Sequence, residues 1–171
     1  MLAAAGYTNG LSFKLWYRPE SPLVATSVQE DLKLVGIHAE LKPVSFAQLI
    51  ESEERRKTVQ CSVAAWSQDY PDPSDFLDVM FNGNRITEEG CQNTSFYSNP
   101  EVNKLLAQAA TCPDPPQRLR LYQQAEQIIV TDAPYVPLDH AYTFALHQSW
   151  VHGLYLHPVI YFRFERMWLD R

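Results

Sequence analysis

Four aspartates that recur at every third position form the densest group of reactive side chains in the sequence. They are Asp69, Asp72, Asp75 and Asp78. Carboxylates grouped in this way could ligate a divalent metal or act as an acid–base pair, which would make the protein a metal-dependent hydrolase using Asp69, Asp72 and Asp75. The spacing lacks the Asp/Asn pattern, the glycine and the terminal Glu of an EF-hand loop. We therefore expect no metal site and no catalytic residue here, and the hydrolase is the weaker alternative.

Aromatic residues flank the first of these aspartates and indicate a binding site. Trp66 provides a large apolar face, and Asp69 provides a fixed negative charge that can pair with a cationic group. The segment directly follows a predicted strand, the position at which ligands bind in open α/β sheets. The candidate ligand-binding residues are Trp66, Ser67, Asp69 and Tyr70. Asp72 and Asp75 occupy positions typical of turns and helix caps, so we expect structural roles for them.

The remaining reactive residues match no catalytic or metal-binding motif. None of the five histidines lies in a His-Glu-x-x-His motif or at zinc-ligand spacing from a cysteine. The sequence also lacks a Gly-x-Ser-x-Gly elbow and a glycine-rich phosphate loop. We expect unpaired thiols at Cys61, Cys91 and Cys112, since a Cys91–Cys112 disulfide would require an oxidising compartment. These patterns favour a binding protein over an enzyme, with no cofactor.

Composition argues against two further classes of protein. The 171 residues carry a net charge of −6 and no basic run, so nucleic acid is not expected as a partner. No stretch reaches the roughly 18 to 20 consecutive apolar residues of a membrane-spanning helix. With 46% hydrophobic and 20% charged residues, the chain suits one domain or one large piece of a longer protein.

The N-terminus favours a piece of a longer protein. Residues 2–5 followed by Gly6 resemble the last turn of a helix with its glycine cap. An isolated helix needs roughly 12 residues to form, so this turn is expected to belong to a helix that begins earlier. No signal peptide is recognisable at Met1, and we expect that segment to lie in the parent chain.

The elements that precede the candidate site follow an α/β pattern. The predicted strands are residues 11–17, 37–41 and 59–65, and the predicted helices are residues 23–35 and one that begins at Ser45. Gly36 supplies the stop of the first helix, and a Ser45/Gln48 capping box begins the second. The third strand has few polar interruptions, which predicts a buried central strand. This order of elements implies right-handed crossovers and a sheet that is at least partly parallel.

Beyond the candidate site the pattern becomes helical and then aromatic. Residues 67–98 are rich in Pro, Gly and Asn around one apolar segment at 76–81, which predicts loops and a short helix. Helices are expected to begin at 98–101 and 114–116, where a proline stands near the first helical position. The last 30 residues are aromatic and strand-like.

Six segments, in order along the chain, resemble motifs of one protein family. They are residues 2–10, 32–37, 66–73, 97–102, 118–125 and 132–138. The segment at 66–73, for example, is similar to the family's W-x-x-DYPDP signature. In these motifs the sequence resembles the extracellular solute-binding proteins of family 5, the dipeptide and oligopeptide receptors of ABC importers. Two features depart from the family pattern: Asn103 stands where an acid is common, and the loop around Cys91 has no clear equivalent.

The resemblance implies an α/β fold, namely a periplasmic-binding-protein-like lobe of type II with a mixed sheet flanked by helices. Residues 1–139 would form the second lobe of a two-lobed protein. Residues 140–171 would be C-terminal strands that cross back toward the first lobe, so their aromatic side chains would form an exposed apolar patch in its absence. The competing interpretation of that aromatic segment is a docking surface for a protein partner.

The resemblance also implies a function, the substrate-binding component of an ABC importer for peptides. Such a protein captures its ligand between two lobes and delivers it to the permease subunits in the membrane. Asp69 would pair with the α-amino group of the peptide, and Trp66 would lie beside it. Receptors of this fold for nickel chelates, haem or sugars are the alternative. The parent protein would be a periplasmic or extracellular, membrane-anchored monomer that performs no covalent chemistry.

Overall fold

The computed structural model describes residues 2–157, 159 and 161–170. Its α-helices are α1 Pro22–Leu34, α2 Phe46–Glu53, α3 Ser74–Phe81, α4 Pro100–Thr111 and α5 Pro115–Asp132. Its strands are β1 Leu11–Tyr17, β2 Ile37–Pro43, β3 Cys61–Ser62, β4 Val151–His152, β5 Leu156–His157, β6 Tyr161–Phe162 and β7 Trp168–Leu169. Short 3₁₀ turns occupy Ala3–Ala5, Gly83–Arg85 and Phe164–Arg166. Met1 and Arg171, the outer ends of the two predicted segments 1–139 and 140–171, lie outside the described residues.

β1 lies at the centre of a parallel sheet with the strand order β2–β1–β3. It pairs with β2 along its whole length, whereas β3 adds only the pairs Leu15–Cys61 and Trp16–Ser62. The strands run in one direction because helices α1 and α2 connect them as crossovers. The carboxyl ends of the strands therefore share one edge, and the loop that follows β3 begins at that edge.

The prediction of a buried central strand over residues 59–65 is wrong. β3 has two paired residues at the edge of the described sheet, and Ala64 and Ala65 are exposed. The N–H of Val63 still donates to the Trp16 carbonyl at 2.8 Å. The chain then enters the loop between β3 and α3, the candidate loop, which contains the candidate site residues 66–70. Apolar composition makes a strand suitable for burial, but the burial itself depends on which elements cover the strand.

The predicted helix boundaries are confirmed, and local side chains explain them. The Ser45 hydroxyl accepts the N–H of Gln48 at 3.3 Å at the start of α2. The side chains of Asn99 and Asp114 accept N–H groups in the first turns of α4 and α5. These contacts satisfy donors that a helix leaves unpaired at its N-terminus. After α1, Gly36 adopts a φ of +81°, a left-handed conformation that glycine reaches without steric cost.

Two apolar cores lie on either side of the candidate loop in the sequence. The larger core joins α4 to α5 and consists of Val102, Leu106, Ala109, Tyr122, Ala125 and Ile129. Leu77 and Phe81 of α3 pack against it. The smaller core consists of Trp16, Val44 and Leu49 with the half-buried Val59, and it joins the sheet to α2. α1 also packs on the sheet, where the Gln29 amide donates to the Ala39 carbonyl at 2.6 Å.

Asn93 organises the loop between α3 and α4. Its Nδ2 donates to the carbonyls of Tyr97 at 2.8 Å and Asn82 at 3.4 Å. Its Oδ1 accepts the N–H of Tyr97 and the hydroxyl of Ser95, both at 3.1 Å. The side chain is buried and uses all four of its hydrogen-bonding positions. The three cysteines of the chain are free thiols.

The C-terminal segment contains little regular structure. Residues 136–148 form neither helix nor strand, and the strands that follow have two residues each. They pair as two antiparallel ribbons, β4 with β7 and β5 with β6. Tyr142, Phe144 and Leu146 are almost fully exposed, although the rings of Tyr142 and Phe144 lie near each other, with their centroids 6.3 Å apart.

Candidate ligand-binding site

The structure brings the four predicted site residues together on the loop between β3 and α3. Trp66 is half-buried, while Ser67, Asp69 and Tyr70 are exposed. The Tyr70 hydroxyl lies 3.2 Å from the Ser74 hydroxyl at the start of α3. The loop therefore presents one carboxylate and two aromatic rings to solvent at the edge where the strands end.

Asp75 fixes the base of this loop. It is buried in the first turn of α3, where the helix dipole favours a negative charge. Its Oδ2 accepts the indole N–H of Trp66 at 3.3 Å and the backbone N–H of Asp69 at 3.0 Å. One carboxylate oxygen of Asp75 thus holds both the Trp66 indole ring and the backbone of Asp69 in position.

Asp72 ties the same loop to α5. Arg118 donates two hydrogen bonds of 2.7 Å to the two Asp72 oxygens, and the Ser74 hydroxyl donates a third of 2.7 Å. The Arg118 guanidinium holds the pKa of the Asp72 carboxyl well below its usual range, and the same contact raises the pKa of Arg118. Arg118 also donates to the Tyr122 hydroxyl at 3.1 Å and lies over the Tyr122 ring. The pair therefore stays fully ionised across ordinary pH.

The fourth aspartate of the series is also occupied by protein donors. Asp78 accepts the Asn82 amide at 2.7 Å and forms an ion pair with Arg85 at 2.5 Å. Among the described residues, only the Asp69 carboxylate of this series lacks a hydrogen bond or ion pair. No group of three or more His, Cys, Asp or Glu side chains within the described part of the chain could hold a metal ion. The regular spacing therefore reflects three structural contacts and one free charge.

Two shallow depressions on the described part of the surface are candidate sites, and one of them adjoins this loop. An open depression of about 340 Å³ is lined by Gln68, Pro71, Asp72, Pro73 and Phe76. A larger one of about 650 Å³ lies on the open face of the sheet, where Lys14 of β1 and Glu40 of β2 stand at paired positions. We assign the site to the loop, although the depression beside it is the smaller of the two. The larger depression places opposite charges on neighbouring strands, whereas the loop offers the Asp69 carboxylate, which has no ion pair among the described residues, together with two aromatic residues.

Sequence reasoning did not assign Arg118 and Tyr122 to the site. A usable signal was present, because residues four apart on a helix share a face and the 118–125 motif begins with this pair. The two motifs at 66–73 and 118–125 converge in space through the Asp72–Arg118 contact, whose partners are 46 residues apart in sequence.

Comparison with known proteins identifies the family. The family described as bacterial extracellular solute-binding proteins, family 5 (middle region), matches residues 1–88, more than half of the chain. The chain belongs to this family. The family 5 relatives include the glutathione-binding protein GsiB of Escherichia coli K12, which is 30% identical over 172 residues. That alignment covers 96% of this chain and 33% of GsiB, so the chain spans about a third of this relative's length.

Further relatives agree with this assignment. The probable D,D-dipeptide-binding periplasmic protein DdpA of E. coli K12 is 33% identical over 138 residues, which cover 80% of this chain and 26% of DdpA. The periplasmic binding protein DppA from Helicobacter pylori, solved in complex with the peptide STSA, is 29% identical with a TM-score of 0.89. Its match covers 99% of this chain and 33% of DppA.

These comparisons confirm several expectations for this family 5 chain. The type II periplasmic-binding-protein fold is confirmed, with helices around a sheet whose described strands are parallel and with antiparallel pairs in the C-terminal segment. The matched relatives are binding proteins and not enzymes, as expected. The family is extracellular by description, and DdpA and DppA are named periplasmic. Within the described residues, no helix has the length and apolar character needed to cross a bilayer.

Proposed function

We propose that this chain is part of the substrate-binding component of an ABC importer for peptides and that Asp69 binds the α-amino group of the ligand. One observation carries the proposal. Asp69 is the exposed member of a four-aspartate series whose other members are held by protein donors. A carboxylate that has no partner among the described residues, and that stands between Trp66 and Tyr70 in the sequence, is suited to a cation that arrives with the ligand.

An α-ammonium group has the chemistry that this arrangement requires. It carries one positive charge and three N–H donors, so it forms charge-assisted hydrogen bonds with a carboxylate. Every unblocked peptide has this group, whatever its side chains. Recognition through Asp69, with the Trp66 ring as an apolar wall, therefore accepts peptides of varied sequence. No bond in the ligand is made or broken, and no cofactor takes part.

The names of the relatives favour peptides over the other solutes considered for this fold. DdpA is named for dipeptides, and the DppA structure contains the peptide STSA. Nickel chelates, haem and sugars offer no common α-ammonium group for Asp69. A metal-dependent hydrolase is disfavoured by the geometry, because Asp72 and Asp75 already accept hydrogen bonds from protein groups.

We extend the proposal to the arrangement of the whole receptor. Residues 1–139 belong to the second lobe, and residues 140–171 cross back toward the first lobe. The exposed Tyr142, Phe144 and Leu146, at alternate positions of an extended segment, support this arrangement because they form an apolar row suited to another lobe. The ligand lies between the lobes, whose hinged closure the permease subunits recognise. The receptor acts as a monomer outside the cytoplasmic membrane, anchored to it.

The test is a thermal-shift titration of the full-length protein with a pool of di- to pentapeptides. We expect free-amine peptides to raise the melting temperature and an N-acetylated pool at the same concentrations to raise it far less. Asp69→Ala should abolish this difference, while Asp31→Ala, which removes an exposed carboxylate from α1, should preserve it. A folded protein that responds to no peptide, or equally to acetylated peptides, would contradict the proposal. Partner binding or self-association indifferent to Asp69 would favour the docking interpretation of the aromatic segment instead.

A further inference from the structure

The loop that carries Asp69 is held by two sets of contacts, one with residues close in the sequence and one with a distant helix. The Asp75 contacts join the loop to the first turn of α3, which follows it directly, since their partners are six and nine positions apart. The Asp72 contact instead joins the loop to Arg118 on α5. Asp69 is itself held by the first of these sets, in which its backbone N–H donates to Asp75, while its carboxylate has no hydrogen bond or ion pair among the described residues. The two sets of contacts hold the backbone near Asp69 and therefore restrict the positions that its carboxylate can take.

The contact with α5 is the more rigid of the two in its geometry. Two parallel hydrogen bonds of 2.7 Å fix the orientation of the Asp72 carboxylate as well as its distance. Arg118 is itself supported by Tyr122, whose hydroxyl accepts a hydrogen bond and whose ring lies below the guanidinium. Tyr122 belongs to the buried core between α4 and α5. A continuous series of contacts thus runs from the helical core to the binding loop.

We propose that Arg118 is a positioning residue for peptide capture, which acts through Asp72 to hold the Asp69 carboxylate in the orientation that receives the ligand's α-ammonium group. This inference rests on the proposed function. Arg118 does not itself contact the ligand. It also occupies Asp72, so that the loop presents one free carboxylate and not two, which keeps the site selective for a single ammonium group.

The decisive measurement compares a free peptide with its N-acetylated form. In the full-length protein, Arg118→Met should weaken binding of a free tripeptide by about tenfold, because a displaced Asp69 carboxylate loses the distance and alignment that its charge-assisted hydrogen bonds to the ammonium group require. Binding of the acetylated tripeptide should stay unchanged, since it makes no ion pair with Asp69. Arg85→Met is the matched control. It breaks the Arg85–Asp78 ion pair near the end of α3 and should leave the ratio of the two affinities intact.

A double variant separates positioning from general damage. If Arg118 acts through Asp69, then Arg118→Met should have no further effect on peptide affinity in an Asp69→Asn background. An additive effect, or an equal loss for free and acetylated peptides in the single variant, would overturn the proposal. Arg118→Lys keeps the charge without the two parallel hydrogen bonds and should give an intermediate loss. Arg118→Lys also keeps the test possible if Arg118→Met fails to fold. If folded Arg118→Lys has the wild-type ratio of free to acetylated peptide affinity, the proposal is overturned.

The same data test the proposed role of Asp69 separately from the proposed role of Arg118. If Asp69→Asn leaves the ratio of free to acetylated affinity unchanged, the proposed role of Asp69 is wrong and the positioning role is wrong with it. If Asp69→Asn brings the ratio of free to acetylated affinity close to one but Arg118→Met leaves it at the wild-type value, the peptide site stands and only the role of Arg118 is wrong.

Discussion

The sheet half of the molecule, residues 11–65, and the helical half, residues 74–132, complete their packing to different degrees. In the helical half, α3, α4 and α5 enclose one continuous apolar core. In the sheet half, Leu23 and Leu34 of α1 are 83% and 85% exposed, and one face of the sheet forms an open depression. The helical half therefore supplies its own apolar partners, and the sheet half leaves apolar surface uncovered within the described residues.

The buried polar groups of the two halves differ in the same way. Asn93 in the helical half is 1% exposed and fully hydrogen-bonded. Glu53 in the sheet half is 5% exposed, yet its Oε1 has no hydrogen-bond partner among the described residues. A buried polar atom without a partner costs stability. At these two positions, therefore, the helical half satisfies its buried polar group and the sheet half does not.

The largest expected effect tests the apolar difference between the halves. Leu106→Ala should lower the free energy of unfolding by about 3 kcal/mol, because Leu106 is 1% exposed and its removal leaves a cavity in the helical core. The matched substitution Leu23→Ala in α1 should change it by less than about 0.5 kcal/mol, since little area is lost there. Urea denaturation measures both values. A loss at Leu23 similar to that at Leu106 would show that another part of the chain covers α1.

The second prediction tests the polar difference and has opposite signs in the two halves. Asn93→Ala should lower the free energy of unfolding by about 2 kcal/mol, because it leaves backbone groups of Tyr97 without partners. Glu53→Gln should raise it by about 1 kcal/mol at pH 7, because a neutral side chain is less costly to bury than a carboxylate. Asn84→Ala and Glu51→Gln, at exposed positions, are the controls. The same sign for both test variants would contradict the comparison.

The dependence on pH identifies the cause of the Glu53 effect. Burial, reinforced by the nearby charge of Glu54 and opposed by a hydrogen bond with Ser62, raises the pKa of Glu53. The protonated form thus favours folding: its contribution is complete below the unfolded pKa of about 4.3 and is lost as the pH rises through the folded value. The gain from Glu53→Gln should therefore be larger at pH 7 than at pH 4. Asp72, whose pKa is lowered, contributes stability that is instead lost at acidic pH.

The sequence allowed the elements to be predicted where the signal was local. Ser45, Asn99 and Asp114 mark helix starts because each caps its own first turn. The burial of residues 59–65 was not predictable, because it depends on elements that cover the strand from elsewhere. The apolar composition of residues 59–65 alone therefore predicted a central strand, whereas the structure has an edge strand of two residues.

For the candidate site, too, features that are local in the sequence were predictable and contacts between distant residues were not. The residues of the loop could be predicted together because they are neighbours in sequence. The contact between Asp72 and Arg118 could not, since the interval of 46 residues between them contains no pattern that pairs one charge with another. The role of Asp69 follows only by elimination, once the partners of the other three aspartates are known.

The smallest expected effect tests whether local backbone strain differs between the halves. Lys57 in the sheet half and Ala133 at the end of α5 have φ values of +65° and +50°, in the left-handed region that disfavours residues with a Cβ. Lys57→Gly and Ala133→Gly should each raise the free energy of unfolding by about 0.5 to 1 kcal/mol. Lys57→Ala, which keeps the Cβ, is the control and should give no gain. Phe96 in the helical half also has a positive φ, of +52°, so positive φ values are not confined to the sheet half. Equal gains at Lys57 and Ala133 would indicate similar strain at the two positions, whereas a clearly larger gain at Lys57 would indicate that the sheet half also carries more backbone strain.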